Sequence, residues 1–265
     1  LYAQGEINYG EGDESYIGQE SMIEALKKMR EDKSIKAIVL RINSPGGSAL
    51  ASDLIWREIE ITKKIKPIVV SMGDVAASGG YYIACNADRI FAEPTTITGS
   101  IGVFGAIPNM SGLAGDMGIN AEQVATNKGA NYSVFEPLTP EFHDYIKGSI
   151  DEIYQTFIGH VATGRKMTSA AVDSIGQGRV WTGKEAKEIG LVDELGGLND
   201  AIAYTAKLVK LEKYKLTFYP RYEKDIKDAF SANPFIKAQE NKLIEEIGLE
   251  NYKMYKTIKS YQKME

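Results

Sequence analysis

The chain has 265 residues, 43% hydrophobic and 25% charged, the composition of an ordinary soluble globular protein with room for one large core or two small ones. Its apolar runs fall short of the roughly 18 residues that span a bilayer, no secretory leader is visible, and a single cysteine, Cys85, excludes an internal disulfide and a cysteine-based metal site. The net charge of −5 is uneven, with 18 basic and 27 acidic groups over residues 1–204 and 13 and 9 over 205–265, which suggests a tail that docks on another surface and speaks against nucleic acid as a partner.

In chain order, LYAQGEI at the start reads as an interior strand without a preamble. It carries the expectation that the chain is a piece of a longer protein whose other part holds an anchor, a targeting signal or catalytic groups. A Gly- and acid-rich loop follows over residues 8–16. Met22, Ile23, Leu26 and Met29 then make a helical stripe over 19–32. IKAIVLRI is a continuous apolar run of strand length, as expected of a strand buried on both faces. NSPGGS is a turn, residues 49–65 a helix, and PIVVSM a strand ending at Met72. Beyond it, GDVAASGGYYIACNADRI turns sharply at Ser78 into a further helix, and RIFAE is the next strand. Three strand–helix units within about ninety residues predict a right-handed, mostly parallel α/β sheet, with functional loops at the carboxyl ends of its strands.

From Glu93 a Gly- and Thr-rich stretch, TTITGSIGVFGAIPN, reads as loop with short strands, and 113–118 as a short helix. Apolar residues from Phe142 to Val161 at helical spacing predict a long helix over 140–163, followed by a shorter one near 169–174. Thr182 stands three residues before Glu185, a capping box announcing a helix that ends at Gly190. Another helix begins near Leu198, YKLTFYP reads as a last strand, and 221–265 as a charged, amphipathic, mostly helical arm. The division expected is a module over 1–204 and a strand plus oligomer-packing helical arm over 205–265.

Three glycine-bearing loops, NSPGGS, AASGG and TGSIG, end successive strands within about sixty residues. Ser78 is the candidate nucleophile. Ala77, Gly79 and Gly80 leave its hydroxyl open to a peptide backbone, and a helix N-terminus beside it would stabilise developing oxyanion charge. An N-capping serine before a buried helix fits the same residues. Pro45 fixes a turn from which Gly46 and Gly47 can present bare N–H groups; convergence of the Gly47 and Gly79 amides beside Ser78 would make an acyl-transfer site. His143 and His160 lie far from these loops in sequence and read as surface or packing residues, Asp74 as a turn cap, Trp181 and Tyr81 as core, and Cys85 as a small buried apolar residue.

LRINSPGGSALASDLIWREI, MGDVAASGGYYIACNADRIFAEPTTITGSIGVFG and GRVWTGKEAKEIGLVDELGG resemble, in order and spacing, the signal peptide peptidase family known as protease IV or SppA. The resemblance implies a Clp-peptidase-like, crotonase-like α/β fold, a homo-oligomeric ring or tetramer-like dome, no metal or cofactor, and proteolysis by a serine with a lysine base. By motif, Ser78 would be the nucleophile, Gly46, Gly47 and Gly79 the oxyanion-hole residues, and Ser100 of TGSIG the serine that holds the lysine. The sequence departs at the lysine: the matching position in NKGANYSVFEP is Tyr132, with Lys128 four residues earlier as the in-chain rival.

In long members of the family two modules stand in tandem and the first supplies the lysine, so Tyr132 with an intact Ser78 fits a serine-bearing C-terminal module. The resemblance further implies signal peptides and other unfolded or hydrophobic peptides as substrates, and a place on the periplasmic side of a bacterial membrane through the preceding part. A crotonase-type acyl-CoA enzyme, which also binds a carbonyl oxygen with paired N–H groups, and a catalytically incomplete assembly module are the alternatives.

Overall fold

The computed structural model describes residues 1–122, 124, 126, 132–222 and 248. The chain divides into two compact units, Leu1–Pro220 and Arg221–Glu265. The helical arm expected over 221–265 and the candidate Lys128 lie outside the described residues, apart from 221, 222 and 248.

The first unit carries β1 (Tyr2–Gln4), β2 (Glu6–Asn8), β3 (Tyr16–Gly18), α1 (Gln19–Glu31), β4 (Ile38–Ser44), α2 (Ala49–Lys63), β5 (Ile68–Ala77) and α3 (Gly79–Tyr82). These are followed by β6 (Arg89–Ala92), β7 (Ile97–Gly99), α4 (Ser111–Asp116), α5 (Pro140–Arg165), α6 (Ser169–Ile175), β8 (Val180–Thr182), α7 (Gly183–Glu188), β9 (Glu194–Leu195) and α8 (Leu198–Leu208). The expected α/β architecture is present: the main sheet runs β1-β4-β5-β6-β9 with every pair parallel, and β7 joins β5 in parallel and β8 antiparallel. The boundary expected after residue 204 would cut through α8.

β5 is the organising strand. Its first half pairs β6 through Val69, Val70 and Ser71, and its second half pairs β7 through Val75, Ala76 and Ala77, so the sheet forks just before Ser78. Such a fork opens a crevice at the carboxyl end of the strand. The expectation that β5 ends at Met72 is corrected: pairing of Ala76 with Ser44 on one side and with Thr98 on the other carries the strand to Ala77. Asp74 therefore lies exposed within a strand and caps no turn.

The opening strand also differs from its reading. It breaks at Gly5, whose φ of +93° places an added Cβ 2.1 Å from Ser15 O. The break turns Glu6–Asn8 away to pair with β3 in a separate parallel ladder. YKLTFYP forms no strand, although Tyr219 O accepts the Tyr2 N–H of β1 at 2.8 Å. Among the described residues no helix is long and apolar enough to cross a membrane.

The main core lies where α1, α2, α3 and α5 meet β4 and β5, with Leu26, Leu40, Ile42, Ile55, Ile59, Met72 and Phe157 all buried. A smaller cluster of Val69, Phe91 and Ala201 buries the other sheet face against α8. Tyr81 is a core residue, fully buried, its hydroxyl donating to Leu191 O at 2.8 Å.

The end of α5 is tied to the sheet by Arg165, which donates to both oxygens of Asp193 at 2.7 and 3.1 Å, while Asp193 also accepts the Ile90 N–H at 2.8 Å. Burial pushes the Asp193 carboxyl up, but the Arg165 guanidinium and the Ile90 amide pull harder, leaving it below the usual carboxylate range. A carboxyl depressed in the folded state contributes stability above its unfolded pKa and loses it as pH falls through the folded one. Denaturant unfolding should therefore show stability falling below about pH 4, with that step smaller in Asp193→Asn. Superimposable pH profiles for the two proteins would refute the assignment.

Candidate active site

Ala77 and Gly99 are partners in the parallel β5–β7 register, and the residue after each leaves its strand at positive φ: Ser78 at 51° and Ser100 at 47°. The Ser78 N–H donates to Gly99 O at 3.0 Å and the Ser100 N–H to Arg179 O at 2.7 Å. Neighbouring strands stand about 4.8 Å apart, so the register sets the two serines side by side. Left-handed backbone at a serine is strained by about 1–3 kcal/mol and is held only where its surroundings over-determine it. Neither hydroxyl has a hydrogen-bond partner among the described residues, and the Ser78 side chain caps nothing.

The helix after Ser78 is shorter than its sequence suggested. α3 is one turn, and the chain continues through three-residue turns, Ala84 N–H to Tyr81 O and Ala87 N–H to Ala84 O. A single turn sums few peptide dipoles, so individual amides, and not a macrodipole, are what α3 can offer a developing negative charge.

Those amides come from α3 and the β4–α2 turn. A Cβ built on Gly46 would meet Gly79 N at 2.6 Å and Ser78 Cβ at 2.9 Å, and one on Gly79 would lie 2.5 Å from Ser52 Oγ and 3.3 Å from Gly47 N. The two chain segments thus touch through bare backbone, with Gly46 at φ +103°. From below, β2 clamps the turn: Ile7 N–H donates to Gly46 O, and Ser48 N–H to Ile7 O, each at 2.8 Å. Among the described residues the Gly47 and Gly79 N–H groups donate to no acceptor, whereas the Gly46 N–H donates to the buried Ser44 Oγ at 3.1 Å. Gly46 is therefore corrected from donor to spacer, its proton already being engaged.

Ser78, Ser100, Pro45, Gly46 and Gly47 line one cleft of about 740 Å³. Its remaining walls were not foreseen: Glu6 of β2, Gly102, Val103 and Phe104 after β7, Ile150, Asp151 and Tyr154 of α5, and Gln177 with Gly178. The Tyr154 hydroxyl donates to Asp173 Oδ1 at 2.7 Å and accepts the Gln177 N–H at 3.0 Å, fixing α5 to the 177–178 turn. The inward helical stripe of α5 was the available sequence signal for this wall, but nothing in it specified the partner.

Among the described residues no lysine belongs to that lining. Tyr132, at the position expected to hold one, is turned elsewhere: its hydroxyl bonds Pro108 O and its ring stacks on Phe142 at 5.1 Å. His160 stacks on Trp56 at 3.5 Å and bonds Asp53 at 3.1 Å, and His143 is exposed beside Asp144, so both are surface or packing groups. The Trp181 indole N–H donates to Ile175 O. Cys85 is fully buried, and burial pushes its thiol up to about 12, which leaves it inert as a nucleophile. A second cavity, of about 510 Å³ beside β1 and α8, has apolar and basic walls and contains none of the candidate residues.

Residues 60–212 match the model of Peptidase family S49. Over 220 residues the chain is 43% identical to Protease 4 of Salmonella typhi, an overlap of 83% of this chain and 36% of that protein. Over 191 residues it is 46% identical to the chloroplastic serine protease SPPA of Arabidopsis thaliana, covering 71% and 28% of the two chains. A putative protease of Methanocaldococcus jannaschii is 34% identical over 226 residues, 83% of this chain and 73% of that one. The chain thus spans about a third of the length of the first two relatives.

Proposed function

The chain belongs to peptidase family S49, with the Clp-peptidase- and crotonase-like α/β fold of that family, and from this premise we propose that it is the nucleophile-bearing module of a serine peptidase whose lysine base comes from a preceding module. The observation that supports the reading is a strained Ser78 lining a cleft with Gly47, next to the Gly79 amide that abuts the Gly46–Gly47 turn; among the described residues Ser78 Oγ and both amides are unengaged and no lysine lines the cleft.

In this mechanism Ser78 Oγ attacks the scissile carbonyl carbon and its proton passes to the neutral lysine amine. The carbonyl oxygen, now an oxyanion, takes the Gly47 and Gly79 N–H groups, one such donor being worth about 10²–10³-fold in rate. Collapse expels the amine of the leaving peptide, protonated by the lysine, and leaves an acyl ester on Ser78. Water, deprotonated by the same lysine, then hydrolyses the ester. A desolvated lysine is neutral near pH 7 because burial disfavours its charged form. Ser100, side by side with Ser78, would accept a hydrogen bond from the lysine and aim it.

The substrates proposed are signal peptides and other unfolded hydrophobic segments, at the extracytoplasmic face of a membrane reached through the preceding part of the protein. The proposed assembly is a homo-oligomeric ring or dome. Protease relatives favour a peptide over an acyl-CoA substrate.

A fluorophosphonate probe tests the division of labour, since phosphonylation needs an activated serine. Ser78 should label weakly in this chain alone and strongly once the preceding module is restored. Strong labelling of the chain alone, lost on Lys128→Ala, would instead place the base within the chain.

A further inference from the structure

Among the described residues the charged side chains lining the Ser78 cleft are of one sign: Glu6 comes from β2 and Asp151 from α5, and no described Lys, Arg or His joins them. Both residues are exposed, and among the described residues neither carboxylate has an ion-pair or hydrogen-bond partner.

Their backbone positions tie them to the reacting centre. Glu6 precedes Ile7, the residue that holds the Gly46–Ser48 turn and with it the Gly47 amide. Asp151 stands between Ile150, whose Cδ1 lies 3.3 Å from a Cβ built on Gly105, and the helical turn carrying Tyr154. Apolar groups share the same lining, with Val103, Phe104 and Ile150 beside the two acids. An occupant complementary to all of them is an extended peptide that carries a cationic side chain next to apolar ones.

Resting on the peptidase reading above, we propose that Glu6 and Asp151 are specificity-determining residues that select peptides with a Lys or Arg close to the scissile bond, and that they disfavour acidic peptides. Two carboxylates in a concave, partly apolar cleft focus a negative potential on whatever enters it, whereas the same pair on a convex surface would be screened. The effect belongs to substrate capture. It should be read in kcat/KM across a peptide series and should shrink as salt is raised.

The test uses the assembled peptidase, preceding module included, and quenched-fluorescent peptides identical except for one residue, Lys, Gln or Glu, scanned through the three positions on each side of the cleaved bond. For at least one position kcat/KM should fall in the order Lys, Gln, Glu, with about tenfold between the extremes at low salt. Glu6→Gln combined with Asp151→Asn should flatten that order to within about twofold, Glu6→Lys should reverse it, and Glu24→Gln, which removes an equal charge from the outer face of α1, should leave the ratio as it was.

A flat series in the parent protein, or an undiminished preference in the double variant, overturns the inference while strong fluorophosphonate labelling of Ser78 leaves the peptidase reading intact. Absence of both hydrolysis and labelling in the assembled parent would remove both.

Discussion

Ser78→Ala is expected to lower peptide hydrolysis by the assembled peptidase at least about 10⁴-fold, and Ser78→Gly to do the same while making the fold more stable. The two halves of this result come from one observation. Ser78 holds a φ of 51° and its side chain makes no capping bond, so its hydroxyl contributes nothing visible to the fold. An N-cap role would make removal of the oxygen cost about 1 kcal/mol of stability and spare turnover. A nucleophile role inverts both. Glycine relieves left-handed strain that serine bears, by about 1 kcal/mol or more, and abolishes the attacking oxygen. Urea denaturation and hydrolysis measured on the same variants separate the readings; Ser78→Gly that is less stable than the parent, or Ser78→Ala that keeps a tenth of its activity, would refute the assignment.

The strand–turn–helix around Ser78 was legible because its signals are local. A β-branched run followed by small residues and two glycines punctuates the chain at the serine, and NSPGGS marks its partner turn in the same way. The helices were equally legible, since α1, α2, α5 and the Thr182–Glu185 capping box announce themselves by periodicity and caps. What failed to show were the pairings between distant segments. β5 runs five residues past Met72 because Ser44 and Thr98 are there to pair with it, and no local pattern could reveal that.

The clamp of Ile7 on the Gly46–Ser48 turn was hidden for the same reason: it depends on a strand break at Gly5 that brings residue 7 against a turn forty residues away. The engagement of the Gly46 amide was a different omission. A serine hydroxyl accepting the N–H two residues on is a local motif, and Ser44 before Pro45 and Gly46 carried its signature.

That hydrogen bond gives Gly46 its role, and Gly46→Ala should be the most damaging single methyl in the site. The added carbon would stand 2.6 Å from the Gly79 amide nitrogen, 2.9 Å from Ser78 Cβ and 3.0 Å from Ala77 O, all parts of the backbone or of the nucleophile's own root. None is the free end of a flexible chain. The alanine would also inherit a φ of +103°, a region that residues with a Cβ avoid. Relief requires the turn to withdraw from α3, and the turn carries the Gly47 amide with it. In the proposed site the Gly47 and Gly79 N–H groups would then no longer meet at one oxygen.

Loss of one oxyanion donor costs about 10²–10³-fold in kcat, and the strain adds a stability loss of about 2 kcal/mol or more. Hydrolysis measured at a temperature where circular dichroism shows the variant still folded isolates the first effect from the second. Ser44→Ala, which frees the Gly46 amide without adding an atom, should fall between the variant and the parent. Full activity in Gly46→Ala would mean that the turn and the helix need not touch, and the paired-amide site would have to be abandoned.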